Sequence, residues 1–449
     1  PKSITLLAIL LVSHASIVFG QASFKNPIIT GMNPDPSICR VEDDFYLVTS
    51  TFEYFPGVPI YHSKDLVHWK LIGHALDSKT NCPLMGAGSS GGNYAPAIRH
   101  HNGTFYVTCT NYGGKGSQGV FYVTATNPAG PWSDPVWIGN WYVDPSILFA
   151  NDSMYWVSPD NKGNFMVGTY DPEAKQFIKP LQFVASGLGG SSPEAPHMYK
   201  INDYYYLISA EGGTGYEHRS VIQRSKSPYG PFEASPYNPV ISNMDNPESP
   251  FQAIGHSDLV QLQDGSWWLV CLGIRPKGGK YQHLGRETFL APVTWTSDGW
   301  PIAGNKGVML EEFPAPDLPE HIWEKEPVRD DFNSETLGLS WTFLRNPHDA
   351  NWSLTECPGH LRLRGSGISF KEKDSPAFMA RRQTAFDMVA STKVSFVPES
   401  PNEEAGLVIR GNDSNHFALV ITVRDGKRVV MLRKYLQDQE TGGFHLRSL

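Results

Sequence analysis

The sequence predicts an all-β protein, a five-bladed β-propeller followed by a second β domain, and three observations carry that prediction. A short strand-opening motif recurs five times. Each copy is followed within about ten residues by an aromatic, β-rich run, and residues 26–319 hold no long helical period. The openings are Asp35-Pro36-Ser37-Ile38, Ala95-Pro96-Ala97-Ile98, Asp144-Pro145-Ser146-Ile147, Glu194-Ala195-Pro196-His197 and His256-Ser257-Asp258-Leu259. Their aromatic partners include Asp44-Phe45-Tyr46-Leu47-Val48, Ser153-Met154-Tyr155-Trp156-Val157 and Ser266-Trp267-Trp268-Leu269-Val270. Repeats of roughly 40–50 residues, each with about four strands, are the mark of a propeller.

In chain order, Lys2 and the apolar run from Ile4 to Val12, with Gly20 before Gln21, read as a signal peptide over residues 1–20. Secretion is therefore expected, and Asn102, Asn151, Asn351 and Asn412 stand in glycosylation triplets. Repeat units fill residues 26–319. Their turns include Asn102-Gly103, Asp264-Gly265 and two matching late segments, Asn127-Pro128-Ala129-Gly130-Pro131 and Ser227-Pro228-Tyr229-Gly230-Pro231. A Pro- and Glu-rich linker spans residues 311–328. Beyond it, residues 329–449 alternate apolar and polar at 360–364, 392–397 and 406–410, as half-buried sandwich strands do. A hairpin is expected through Asp425-Gly426. At about 120 residues this domain is short for a long-stranded sandwich, and an incomplete one is expected.

The formal net charge of −8 argues against nucleic acid or an anionic membrane as the main partner. Five cysteines, with no CxxC pair, leave room for one bridge but not for a disulfide scaffold or a zinc site. Oligomeric state is not legible.

Radial repetition gives the openings their chemical meaning. The first strand of a propeller blade runs along the central channel, so residues at its start line one mouth. Asp35, Asp144 and Glu194 take that position in the first, third and fourth units and converge on one pocket. Carboxylates that close repel one another, so at least one is held protonated near neutral pH. One protonated acid beside one ionised base is the equipment of glycoside hydrolysis. His256 holds the matching place in the fifth unit. Arg286, late in that unit, is placed to clamp a sugar hydroxyl, and its neighbour Glu287 points the other way. Phe52 and Tyr94, beside the first and second openings, are candidate sugar platforms.

These residues resemble glycoside hydrolase family 43, through Asn33-Pro34-Asp35-Pro36-Ser37-Ile38, Ser50-Thr51-Phe52-Glu53-Tyr54-Phe55-Pro56-Gly57, Glu194-Ala195-Pro196-His197, Gly255-His256 and Leu284-Gly285-Arg286-Glu287-Thr288. The resemblance implies that Asp35 is the general base, Asp144 the carboxylate that tunes and orients the acid, and Glu194 the general acid, acting with inversion. It also implies that residues from Arg329 form a concanavalin-like β-sandwich. The expected activity is exo-acting β-1,4-xylosidase on xylo-oligosaccharides, with α-L-arabinofuranosidase on arabinoxylan as the alternative. A non-catalytic sugar-binding propeller is the reading from another class. Relatives of the xylosidase branch carry Trp where this chain has Tyr94, which puts the fit of the terminal sugar in question. No metal or other cofactor is expected to be required, and an ion beside His256 stays open.

Overall fold

The computed structural model of the chain describes residues 22–139, 143–437 and 439–448. The expected signal peptide lies outside them. Five four-stranded antiparallel sheets follow one another along the described residues, each built from consecutive strands except that the first omits the short strand Tyr54–Phe55. Blade I comprises Ser37–Val41, Asp44–Val48, Gly57–Ser63 and Lys70–Leu76, and blade II Gly92–His101, Thr104–Tyr112, Gly119–Ala125 and Val136–Gly139. Blade III runs through Ser146–Ala150, Ser153–Pro159, Asn164–Asp171 and Gln176–Ser186. Blade IV holds Glu194–Ile201, Tyr204–Glu211, Arg219–Ser225 and Glu233–Ala234, and blade V Gln252–Gln261, Trp267–Ile274, Glu287–Trp295 and Pro301–Ala303. The first strand of each blade touches the first strand of the next, and blade V's returns to blade I's, so the ring closes.

The aromatic second strands are apolar on both faces because each blade is packed between two others. Successive strand residues face opposite ways. Tyr155 and Val157 of blade III accordingly pack with Tyr205 and Leu207 of blade IV, whereas Met154 and Trp156 pack with Val120 and Tyr122 of blade II. Tyr206 and Ile208 turn from blade IV toward blade V. The core is thus a ring of interblade layers.

Closure has two further supports. Ser23–Lys25 pairs antiparallel with Glu312–Pro314, so the start of the expected linker is a strand that ties the propeller's end to its beginning. On the axis, Asp258 of blade V is fully buried and accepts from Ser37 Oγ (2.5 Å) and Ile38 N (3.0 Å) of blade I. It also accepts from Arg99 of blade II (2.8 and 3.0 Å) and from the Tyr199 hydroxyl of blade IV. One carboxylate joins four blades.

The C-terminal region contains a four-stranded antiparallel sheet, Ala405–Asn412, Asn415–Arg424, Lys427–Leu436 and Gln439–Ser448. Its second hairpin turns through Asp425 and Gly426, both at positive φ (50° and 71°), as a two-residue turn with the primed twist requires. Residues 392–397 are not a strand. Their alternation is real, but no neighbouring segment pairs with them, and an unpaired ladder does not form. Thr342–Leu344 pairs with Tyr54–Phe55 of the propeller, so the two regions share a sheet. All five cysteines are free, so the bridge left open above is absent. Among the described residues no helix is long and apolar enough to cross a membrane.

Candidate active site

At every opening one residue adopts a left-handed backbone. The φ angle is 57° at Asp35, 47° at Ala95, 57° at Asp144, 51° at Ala195 and 53° at His256. Non-glycine residues reach this conformation at a cost of roughly 1–2 kcal/mol each, and its fivefold recurrence shows that the blade start imposes it. The same feature corrects one expectation. Asp35, Asp144 and His256 are structurally equivalent, but Glu194 lies one residue earlier, and its counterpart in blade II is Tyr94. Blades II, IV and V begin their first strand before the left-handed residue, and the ladder shifts register there, between Tyr94 and Ala97, between Glu194 and His197 and between Gly255 and Asp258, so that the residue matching Glu194 in blade V is Gly255. The bulge lets the residue ahead of it face the pocket.

Asp35 is 4% exposed. Its Oδ1 accepts from Arg286 Nη1 at 2.9 Å, with His256 Nδ1 3.6 Å away, and its Oδ2 accepts from Ser50 Oγ at 2.5 Å. Burial alone would raise its pKa, but Arg286, His256 and Ser50 together outweigh burial and hold it below the ordinary aspartate value. His256 is itself kept toward the neutral form, by burial first and then by Arg286 against the pull of Asp35. At neutral pH the lasting counter-charge of Asp35 is therefore Arg286. Ser50 is in turn fixed by the Ala95 amide (2.7 Å), which ties blade I to blade II beneath the site.

Glu194 is held near 7, by burial first and the Asp35 charge second, against Arg286. Asp144 is also raised, by burial and then by Glu194 and Asp35, although the Ala195 amide donates to its Oδ2 at 3.1 Å. Asp144 and Glu194 sit close enough to titrate as a unit, and between them they retain a proton at neutral pH while Asp35 is ionised. That is the split protonation that acid–base chemistry on one bond needs. Donor atoms of Asp144, Glu194 and His256 also lie within 4.8 Å of one another, a spacing that suits a cation.

The expected aromatic residues meet at the same mouth. The Phe52 and Tyr94 rings are stacked at 6.0 Å, and the Arg286 guanidinium lies over Phe52 at 5.5 Å. Glu287 points away as expected, paired with Arg275 at 2.6 and 2.8 Å. A groove of about 1050 Å³ leads outward past Glu194, lined by Tyr94, Thr110, Tyr112, Lys162 and Ser192.

Three residues near the carboxylates were not among the expected site residues, although Ser50 opens one of the family-like runs. Thr110, whose Oγ1 accepts from the Asp144 amide at 3.1 Å, lies near the end of a second strand and Ser50 two residues beyond another, where tertiary closure brings them to the site. His218 is 1% exposed, and Gly255 lies against it so closely that a Cβ there would come 2.3 Å from its Cδ2. Burial, then His256 and Arg286, push its pKa down to about 3, which makes it a neutral neighbour of Asp35.

A closed propeller whose axis gathers an ionised aspartate, a carboxyl pair that retains a proton and an aromatic wall is built as a carbohydrate-cleaving hydrolase. Comparison with known proteins places it further: the chain belongs to glycoside hydrolase family 43. The glycosyl hydrolases family 43 model matches residues 24–301, and the model of the β-xylosidase C-terminal concanavalin A-like domain matches residues 329–445. A non-reducing end α-L-arabinofuranosidase of Bacteroides ovatus is 68% identical over 95% of this chain and 80% of its own length. A β-xylosidase of Bacillus subtilis is 36% identical over 88% of this chain and 79% of its own. Among solved structures, the GH43B protein of a Bacteroides ovatus xyloglucan PUL superposes with a TM-score of 0.94 at 68% identity, covering 95% of this chain and 85% of that one. A xylan β-1,4-xylosidase of Bacillus halodurans gives 0.87 at 37% identity, covering 94% and 85%.

Proposed function

We propose that the protein is an inverting, exo-acting α-L-arabinofuranosidase that removes terminal arabinofuranose from glycan chains, with β-xylosidase activity as the lesser one. The observation that carries this order is the 68% identity to a relative named for arabinofuranosidase activity, against 36% for the Bacillus subtilis β-xylosidase. It reverses the preference for xylose drawn from the motifs, which both kinds of enzyme share.

In the proposed mechanism the terminal pentose stands against Phe52 and Tyr94. Ionised Asp35, oriented by Arg286 and Ser50, takes a proton from the water that attacks the anomeric carbon. Glu194 gives its proton to the departing glycosidic oxygen. Asp144 lies beside Glu194, and its negative charge, when present, raises the affinity of Glu194 for its proton. The leaving sugar exits along the groove past Glu194. At about 1050 Å³ the groove exceeds what one pentose fills, which supports a glycan as the leaving group.

The test is a direct comparison of kcat/KM on an aryl α-L-arabinofuranoside and an aryl β-D-xyloside. The proposal expects the arabinoside to be turned over at least about tenfold faster, a difference of about 1.4 kcal/mol in transition-state binding. A faster xyloside would overturn it.

A further inference from the structure

We propose that Arg410, in the second domain, is a positioning residue for the Phe52–Tyr94 wall, so that the fit of the terminal pentose is set across the domain boundary. The inference rests on the pentosidase reading above.

Two propeller segments carry the wall. Residues 51–55 bear Phe52 and residues 82–94 lead to Tyr94. They are joined where the Phe52 amide donates to Asn93 O at 2.7 Å and the Asn93 amide donates back to Phe52 O at 3.1 Å. The junction is tight: a Cβ on Gly92 would lie 2.3 Å from Phe52 O, and Phe52 itself is held at φ 52°. A bulky residue in that conformation persists only where its surroundings hold it.

Beyond the Asn93 pairing, the residues that follow Phe52 are held by the second domain. The Arg410 side chain is 2% exposed and reaches both segments. Its Nη1 donates to the Tyr54 hydroxyl at 2.5 Å and faces Glu53 Oε1 at 3.4 Å, while its Nη2 donates to Asp413 at 2.7 Å and to Ser89 Oγ at 3.4 Å. Glu53 also accepts from the Ser90 amide at 3.0 Å, so the flanks of Phe52 and of the second segment share one carboxylate. Asp413 exchanges hydrogen bonds with Ser89 in both directions (2.9 and 3.0 Å). Arg345, with no exposed surface, completes the grip. Its amide donates to Glu53 O at 2.7 Å, its Nε to Ala87 O at 2.5 Å and its Nη2 to Asp413. A purely adhesive interface has no need to concentrate buried charge on the residues adjoining Phe52. Buried ion pairs are a weak source of net stability, and in some proteins they define geometry instead; here the geometry defined is the pocket wall.

The experiment uses the full chain and steady-state kinetics on both aryl pentosides with Arg410→Met, Arg410→Lys and Ser89→Ala. Arg410→Met is expected to raise KM on the order of tenfold with a smaller change in kcat, and to shift the arabinoside-to-xyloside ratio, with partial recovery in Arg410→Lys. In a Phe52→Ala background Arg410→Met should add less than about twofold, because the ring it positions is gone. Ser89→Ala keeps every charge and serves where Arg410→Met does not fold. An active wild type whose folded variants keep KM and the substrate ratio, or whose effects multiply with Phe52→Ala, overturns the inference. A wild type inactive on both pentosides overturns the pentosidase reading instead.

Discussion

Asp35 and Glu194 owe their opposite protonation states to a few neighbours. Asp35 is the most buried of the three carboxylates, yet Arg286 at 2.9 Å and Ser50 at 2.5 Å keep it ionised. Among the described residues Glu194 has no such donor at short range; burial first and the Asp35 charge second hold its pKa near 7. Two outcomes are expected. Activity should fall as pH rises through about 7, where Glu194 loses the proton it must donate, and the acid limb should lie below the ordinary aspartate range, where Asp35 is finally protonated. An alkaline limb above pH 9 in kcat/KM would refute the assignment of Glu194. Glu194→Gln should cost on the order of 10²–10⁴-fold on glycan substrates and far less on a dinitrophenyl glycoside, whose leaving group departs without a proton. Equal losses on both would exclude Glu194 as the acid.

At the scale of the element, the blade start and the blade middle were legible in the sequence to different degrees. The aromatic second strands were readable because every blade must bury both faces, and the fully buried Trp156 shows why. Trp156→Ala should destabilise the propeller by ~3–5 kcal/mol in denaturant unfolding, with little effect on the carboxylates' pH profile; a loss below 1 kcal/mol would mean that the interblade layers are not the core. The blade starts were readable as a repeat but not to the residue. Asp35-Pro36 and Glu194-Ala195-Pro196 look like one motif, and only the bulge at Ala195 shows that Glu194 aligns with Tyr94. Alternation at residues 392–397 misled for the converse reason, since a strand pattern has no effect without a partner edge. Thr110 and His218 were invisible, and Ser50 was legible only as the first residue of a family-like run, because no local pattern marks a residue whose role is created by ring closure.

The whole molecule works as a ring closed on charge. Asp258 ties blades I, II and IV to blade V beneath the pocket, the ribbon of Ser23–Lys25 with Glu312–Pro314 ties the ends, and the second domain holds the aromatic wall. Closure brings Asp35 of blade I, Asp144 of blade III and Glu194 of blade IV to one mouth, although they are far apart in the chain. The central claim is that this convergence sets a water-activating base and a proton-donating acid on one glycosidic bond, so that the bond is displaced in a single step. Proton NMR of the sugar first released from an α-L-arabinofuranoside tests it most directly. The account predicts the β-anomer, appearing before mutarotation; release of the α-anomer would mean a covalent intermediate on the protein and would contradict the division of labour among the three carboxylates.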